Sequence, residues 1–202
     1  MGCCSVYIPG KMKNKEKKAQ GLVNITLVAT DAAIKHVLEM EEASELSSSI
    51  MDDIVYEFII FNLHQFNRLL FDKFGENGRN ELMDDVVAKL QKHLISSSSE
   101  VLSKDDANLT VDILGNYLQS DNFHSKAKNF ISLYNEREAE YSHYNEEPEK
   151  GKGLAGTLLW EFGKKIADIM GKEYDLSIIM KTQQLGISYT FFADRIKEAL
   201  ED

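Results

Sequence analysis

Cysteine is nearly missing from this chain: only Cys3 and Cys4 occur, side by side. A disulfide framework joins cysteines that are distant in sequence, so the fold is not expected to be held by disulfides. Proline is as scarce, and Pro9 and Pro148 both fall outside the periodic segments. No secretory leader is expected, because the basic stretch follows the first ten residues and no suitable apolar run comes after it. An uninterrupted run of about twenty apolar residues, the length that spans a bilayer, is also missing. No complete Gly-rich phosphate loop, nucleophile elbow or His-Glu-x-x-His pattern appears. Gly151, Gly153 and Gly156 follow Lys-rich sequence without a preceding strand, so they read as a hinge rather than a phosphate cradle.

What is present points to helix. With 43% hydrophobic and 28% charged residues the chain has the composition of a globular protein that buries a core. Few helix breakers stand among many Leu, Lys, Glu, Asp and Ala. The net charge of -10 is unevenly spread: residues 1–21 carry five lysines against Glu16, a local +4. The rest holds 18 basic and 32 acidic side chains and is net -14, which repels nucleic acid, so no nucleic-acid partner is expected.

Residues 1–21 lack apolar periodicity and are expected to form a mobile basic tail, with residues 22–202 as a single all-helical domain. Leu27, Ile34, Val37 and Leu38 line one face of a first helix, and serines 47–49 interrupt it. Residues 50–74 are apolar almost all round (Ile50, Ile54, Phe58, Phe61, Phe66 and Leu70 among them), which marks a central buried helix. Gly75 and Gly78 supply a stop and a turn before a helix facing inward through Leu82, Val86, Leu90 and Leu94. A short helix over 105–118 follows, then one from Asp121 through Tyr141. Leu158, Phe162, Ile166 and Ile169 form one clean face that ends near Gly171. Asp175 is placed to cap a last helix that runs to Leu200 despite Gly186. The expectation is an all-α compact bundle of six or seven helices around the central one.

Two constellations carry candidate chemistry. At 100° per residue, Glu57, His64 and Arg68 share one edge of the central helix, within roughly 40° of each other. Buried groups of this kind need partners, and Tyr134, Arg137, Glu138 and Tyr141 on the helix beginning at Asp121 can supply them. The arrangement reads either as a polar pocket within a bundle or as a structural network that fixes helix register. Glu140 and His143 have the i, i+3 spacing of carboxylate-bridged metal bundles, repeated by Asp121 and His124. Nineteen residues of helix separate these pairs by about 28 Å, too far to share one cluster. No metal or other cofactor is therefore expected, Glu140 and His143 being the weak candidates.

The amino terminus Met1-Gly2-Cys3-Cys4, followed by the lysines at 11–18, resembles that of dually acylated proteins. The resemblance covers about ten residues and implies lipidation at Gly2, Cys3 and Cys4, hence localisation but no activity. It departs from the pattern at Val6, where Ser or Thr belongs. By elimination the sequence suggests a non-enzymatic, cytoplasmic interaction or adaptor protein. Its partner would be another protein or a second copy, with a membrane surface only if the tail is acylated. The alternative is a helical-bundle enzyme or small-ligand protein built on the Glu57, His64 and Arg68 edge.

Overall fold

The computed structural model describes residues 14–96, 114–117, 121–148, 150, 153–187 and 189–201, the side chains of 121–122 and 186–194 excepted. Among them lie eight α-helices, one 3-10 turn (Glu41–Ala43) and no strand. The helices are α1 Lys15–Leu38, α2 Ser48–Ser96, α3 Leu114–Tyr117, α4 Asp121–Ala127, α5 Phe130–Tyr141, α6 Leu158–Ile169, α7 Leu176–Ile187 and α8 Tyr189–Leu200. The fold is all-α, as the periodicity implies.

α2 is the axis of the molecule and packs against α1, α4, α5 and α6. Residues 54–64 of α2 are buried without a gap, which is why its first half reads as apolar all round. A kink at Gly75 (φ 68°, ψ -176°) divides the helix in a backbone region that essentially only glycine occupies. The two halves fold back on one another. Lys126 Nζ lies 2.5 Å from Asp53 Oδ1, and the next residue's carbonyl, that of Ala127, accepts from Gln91 Nε2 at 3.2 Å. A straight helix would hold Asp53 and Gln91 roughly 57 Å apart. Gly75 is thus the expected stop, whereas Gly78 lies buried inside the second half rather than in a turn.

α1 crosses both halves of this hairpin. Asn62 Nδ2 donates to Thr30 Oγ1 at 3.2 Å in the first half, while Lys15 pairs with Asp85 at 3.0 Å in the second. By length and composition α1 is the one described helix that could cross a membrane, yet its Thr26, Thr30 and Asp31 are buried among neighbouring helices. Its start corrects the expected tail boundary. Residues 15–21 are the first turns of α1, and Ala19 is fully buried. Lys18, 5% exposed, donates to the Leu200 carbonyl at 2.9 Å and so caps the end of α8. Lysine's long apolar stem can be buried while its ammonium finds a partner, and a charge-rich sequence hides that.

Three other boundaries differ from the pattern. The helix expected from Asp121 to Tyr141 breaks at Lys128 and Asn129 into α4 and α5. The Ala127 and Lys128 carbonyls at the break accept from Gln91 Nε2, and one turn earlier the Tyr56 hydroxyl donates to the Phe123 carbonyl at 2.8 Å. The last predicted helix is two, α7 and α8, and of the helix over 105–118 the described part is α3. Asp175 caps α7 as expected, accepting from the Ser177 amide at 2.9 Å.

α6 and α7 approach most closely at Gly163, where a Cβ would meet the Ile179 carbonyl oxygen at 2.9 Å and its Cα at 3.1 Å. Backbone cannot yield as a side-chain tip can. Gly163→Ala is therefore expected to lower the unfolding free energy by about 1–3 kcal/mol through overpacking. Urea denaturation checks this, and an unchanged midpoint would mean that the two helices can part freely.

Candidate functional site

The edge of α2 carrying Glu57, His64 and Arg68 faces α5, and the expected partners come from that helix. Glu57 is 3% exposed. Its Oε2 takes the Arg137 Nε–H at 3.1 Å, and its Oε1 takes the Tyr141 hydroxyl. Arg137 in turn donates to Glu140 Oε2 at 3.1 Å, and Lys165 of α6 approaches the same carboxylate at 3.8 Å. Two helical turns on, His64 Nδ1 lies 2.8 Å from Glu138 Oε2, while Asn67 Nδ2 donates to Glu138 Oε1. Arg68 Nε donates to His64 Nε2 at 2.9 Å, and its Nη2 donates to the Tyr144 carbonyl at 2.7 Å. The Arg68 Nη1 reaches Glu146 at 3.1 Å.

This geometry settles the histidine tautomer. A guanidinium N–H can only donate, so Nε2 of His64 is the acceptor and the ring proton sits on Nδ1, pointing at Glu138. Around the network, Phe61 and Phe162 stack with centroids 3.9 Å apart, and Phe61 meets the Tyr141 ring edge-on at 5.8 Å. The aromatic cluster ties α2, α5 and α6 together and keeps water from Glu57.

Five of the six predicted residues therefore lie along one α2–α5 seam in two hydrogen-bonded groups, Glu57 with Arg137 and Tyr141, and His64 with Arg68, Glu138 and Asn67, linked where Arg68 Nη2 reaches the Tyr141 carbonyl at 3.5 Å. Each of these side chains is hydrogen-bonded to a neighbour in the seam. Tyr134 is not part of either group. It lines a neighbouring cleft of about 590 Å³ between the second half of α2 and α5, together with Asn67, Arg79, Asp84 and Glu138. Of its lining, Tyr134 and Glu138 are expected pocket residues, whereas the polar residues at 79–80, 84 and 135 look in sequence like an ordinary solvated helix face. The helical spacing of 80, 84, 87 and 88 is the one signal that could have marked it.

The metal pairs do not survive the fold. α5 ends at Tyr141, so His143 lies in the turn beyond the helix, exposed, while Glu140 is held by Arg137. Asp121 and His124 belong to α4, a separate helix. Among the described residues no group of three metal-ligating side chains is assembled. Gly2, Cys3 and Cys4 lie outside the described residues. Of the tail lysines, Lys15 and Lys18 are committed to the fold. No protein-family model, curated protein or solved structure matches the chain.

Two predictions follow from the network's burial. Removing Arg137 leaves the Glu57 carboxylate buried without its counter-ion, so Arg137→Met should destabilise by about 3 kcal/mol. Adding Glu57→Gln to that variant should restore most of the loss. A double-mutant cycle in urea measures both, and a neutral Arg137→Met would show that the pair does not lock the helices. Burial also raises the phenols of Tyr56, Tyr134 and Tyr141 above their ordinary 10.0, with Glu57 adding to the effect at Tyr141. The stability they contribute is full below pH 10.0 and is lost as pH rises from there toward the raised folded values. Ultraviolet titration should show these phenols ionising only as helical circular dichroism is lost. Ionisation of every tyrosine with the helices intact would contradict it.

Proposed function

We propose that this protein works by docking another protein or a second copy of itself, as a non-enzymatic interaction or adaptor module. The acid, imidazole, guanidinium and phenol on the central edge pair with each other, which suits a lock between helices better than a reacting centre. The observation that carries the docking reading is the corner between α6 and α7. Tyr174, Leu176 and Met180 are 70%, 60% and 59% exposed there. Tyr174 also sits at φ 58°, a left-handed conformation that costs a non-glycine residue roughly 1–2 kcal/mol. A strained backbone that holds an aromatic ring in water is a feature of functional surfaces. Leu176 and Met180 stand one helical turn apart beside it, in the way an interface anchors on a few apolar side chains.

The reading places the protein in the cytoplasm. Acylation of Gly2, Cys3 and Cys4, a proposal from the sequence alone, would add a membrane address and no activity. A second reading, small-ligand binding, is favoured by the cleft bordered by Tyr134 and Glu138.

The docking reading is tested by replacing Tyr174, Leu176 and Met180 with serine. These side chains are exposed, so thermal stability should hold. Sedimentation velocity should show the parent chain associating with concentration, and a photo-crosslinker at Leu176 should capture a defined partner or second copy in the native host. The association should vanish in the triple variant, and the crosslink should vanish when Tyr174→Ser and Met180→Ser accompany the crosslinker. A chain that stays monomeric at every concentration and crosslinks to nothing from Leu176 would end the proposal.

A further inference from the structure

Between Ser48 and Ser96, Gly75 alone has torsions that are not helical. No loop separates the two halves of α2, so one φ, ψ pair carries the whole reversal of direction. Helix–helix connections in bundles usually take about two to eight residues, and a turn this short acts as a hinge rather than a linker. The sequence around it, Asp72-Lys73-Phe74-Gly75-Glu76-Asn77-Gly78-Arg79, holds no proline, so a helix can run straight through. Crowding does not fix the turn either, since a Cβ built on Gly75 meets nothing within 4 Å. The turn depends on glycine's torsional freedom. It is clasped at the surface, where the Arg79 guanidinium lies 5.6 Å from the ring of the 50% exposed Phe71.

Opening that turn has a defined consequence. With Gly75 in helical torsions, α2 becomes one straight helix and gains about four backbone hydrogen bonds that span the hinge. The first half then leaves the second half and the helices that follow it. Contacts across the hinge are lost within the chain: Glu57 with Arg137, Tyr56 with Phe123, Lys15 with Asp85, and Lys18 with Leu200. An open chain cannot persist alone, because it exposes apolar faces on both sides of the hinge. A second open copy supplies the same groups in the same geometry.

We infer that this protein forms a dimer with a second copy of itself by exchange across Gly75. The segment ending at Phe74 of each copy packs on the segment beginning at Glu76 of the other, so that Arg137 of one copy holds the partner's Glu57. Exchange keeps the native contacts made across the hinge, which makes it a low-cost route to a dimer, and short hinges promote it. The inference goes beyond the docking reading. It uses no surface of the α6–α7 corner, and either can fail without the other.

The test is refolding of the full chain from urea at millimolar and at low micromolar concentration, followed by gel filtration. Concentrated refolding should give a dimer that returns to monomer slowly after dilution, because release requires the halves to part. Dilute refolding should give monomer. Gly75→Ala should raise the dimer-to-monomer ratio about tenfold or more at unchanged helical circular dichroism, since alanine disfavours the turn and favours helix. Inserting Gly-Ser-Gly after Gly75 relaxes the hinge and should abolish the dimer. Serine at Tyr174, Leu176 and Met180 should leave it intact. Exchange itself is read from spin labels at Asp53→Cys and Lys92→Cys, exposed positions on the two halves, in a chain carrying Cys3→Ser and Cys4→Ser. In dimers refolded with excess unlabelled chain, the distance within one copy should lengthen to roughly 58 Å, far beyond that in the monomer. A dimer that keeps the short distance, a parent chain that refolds only to monomer, a folded Gly75→Ala chain that stays monomeric, or an insertion variant that dimerises like the parent would overturn the inference. Should Gly75→Ala fail to fold, the labelled parent chain and the insertion variant decide by the same readings.

Discussion

A carboxylate in the middle of the most buried helix constrains everything around it. Glu57 lies among Ile54, Phe58, Ile60 and Phe61, where an ionised group without partners would cost several kcal/mol. Arg137 and Tyr141 supply the partners, and both come from one helix at i, i+4 spacing, so α5 has one axial position and one rotation against α2. That register then sets the rest of the edge. Two turns along, Glu138 is brought to His64 and Asn67, and Arg68 is brought to the carbonyls beyond the end of α5. A slip by one residue would leave the Glu57 carboxylate facing apolar rings. The network is thus better understood as fixing an alignment than as adding stability, since an apolar replacement of both partners could be as stable.

The same economy governs the helix ends. Short helices expose many unpaired carbonyls and amides for the surface they bury, and α3, α4 and α5 are short. Side chains of the two long helices satisfy them. Asp31 of α1 takes the Leu114 amide at 2.8 Å, Gln91 of α2 takes the carbonyls at the α4–α5 break, and Lys18 of α1 takes the last carbonyl of α8. Each of these polar residues lies on a helix that also buries a long apolar face. A long core helix that carries a few well-placed polar groups can therefore hold a shell of short helices that could not persist alone.

This division explains what the sequence disclosed. The central helix, the Gly75 break, the amphipathic face of α6 and the Asp175 cap were all legible, because periodicity and capping act locally. The pairing of Glu57, His64 and Arg68 with the Tyr134–Tyr141 helix was legible for a related reason, since buried polar residues must meet others and few candidates existed. The break at Asn129 was not, because Gln91 and Tyr56, far away in sequence, make it affordable. The tail boundary misled in the opposite sense: Lys15, Lys17 and Lys18 look like solvated charge, but Asp85 and the Leu200 carbonyl make two of them part of the fold. The Tyr134 cleft was hidden because Asp84 and Asn135 lie on exposed helix faces, and only the packing of two such faces makes a concavity.

Glu138 is the residue at which structure and function meet. Its one carboxylate ends the closed network and opens the cleft, so the order that the network imposes is delivered to a surface accessible to solvent. The edge of α2 therefore has two roles divided by burial. From Glu57 to His64 it is dry and its groups are hydrogen-bonded to neighbours in the seam. Beyond Asn67 it is wet, and Tyr134, its ring buried, borders the cleft. Tyrosine suits that boundary, because its ring packs between the helices while its hydroxyl faces the wet side.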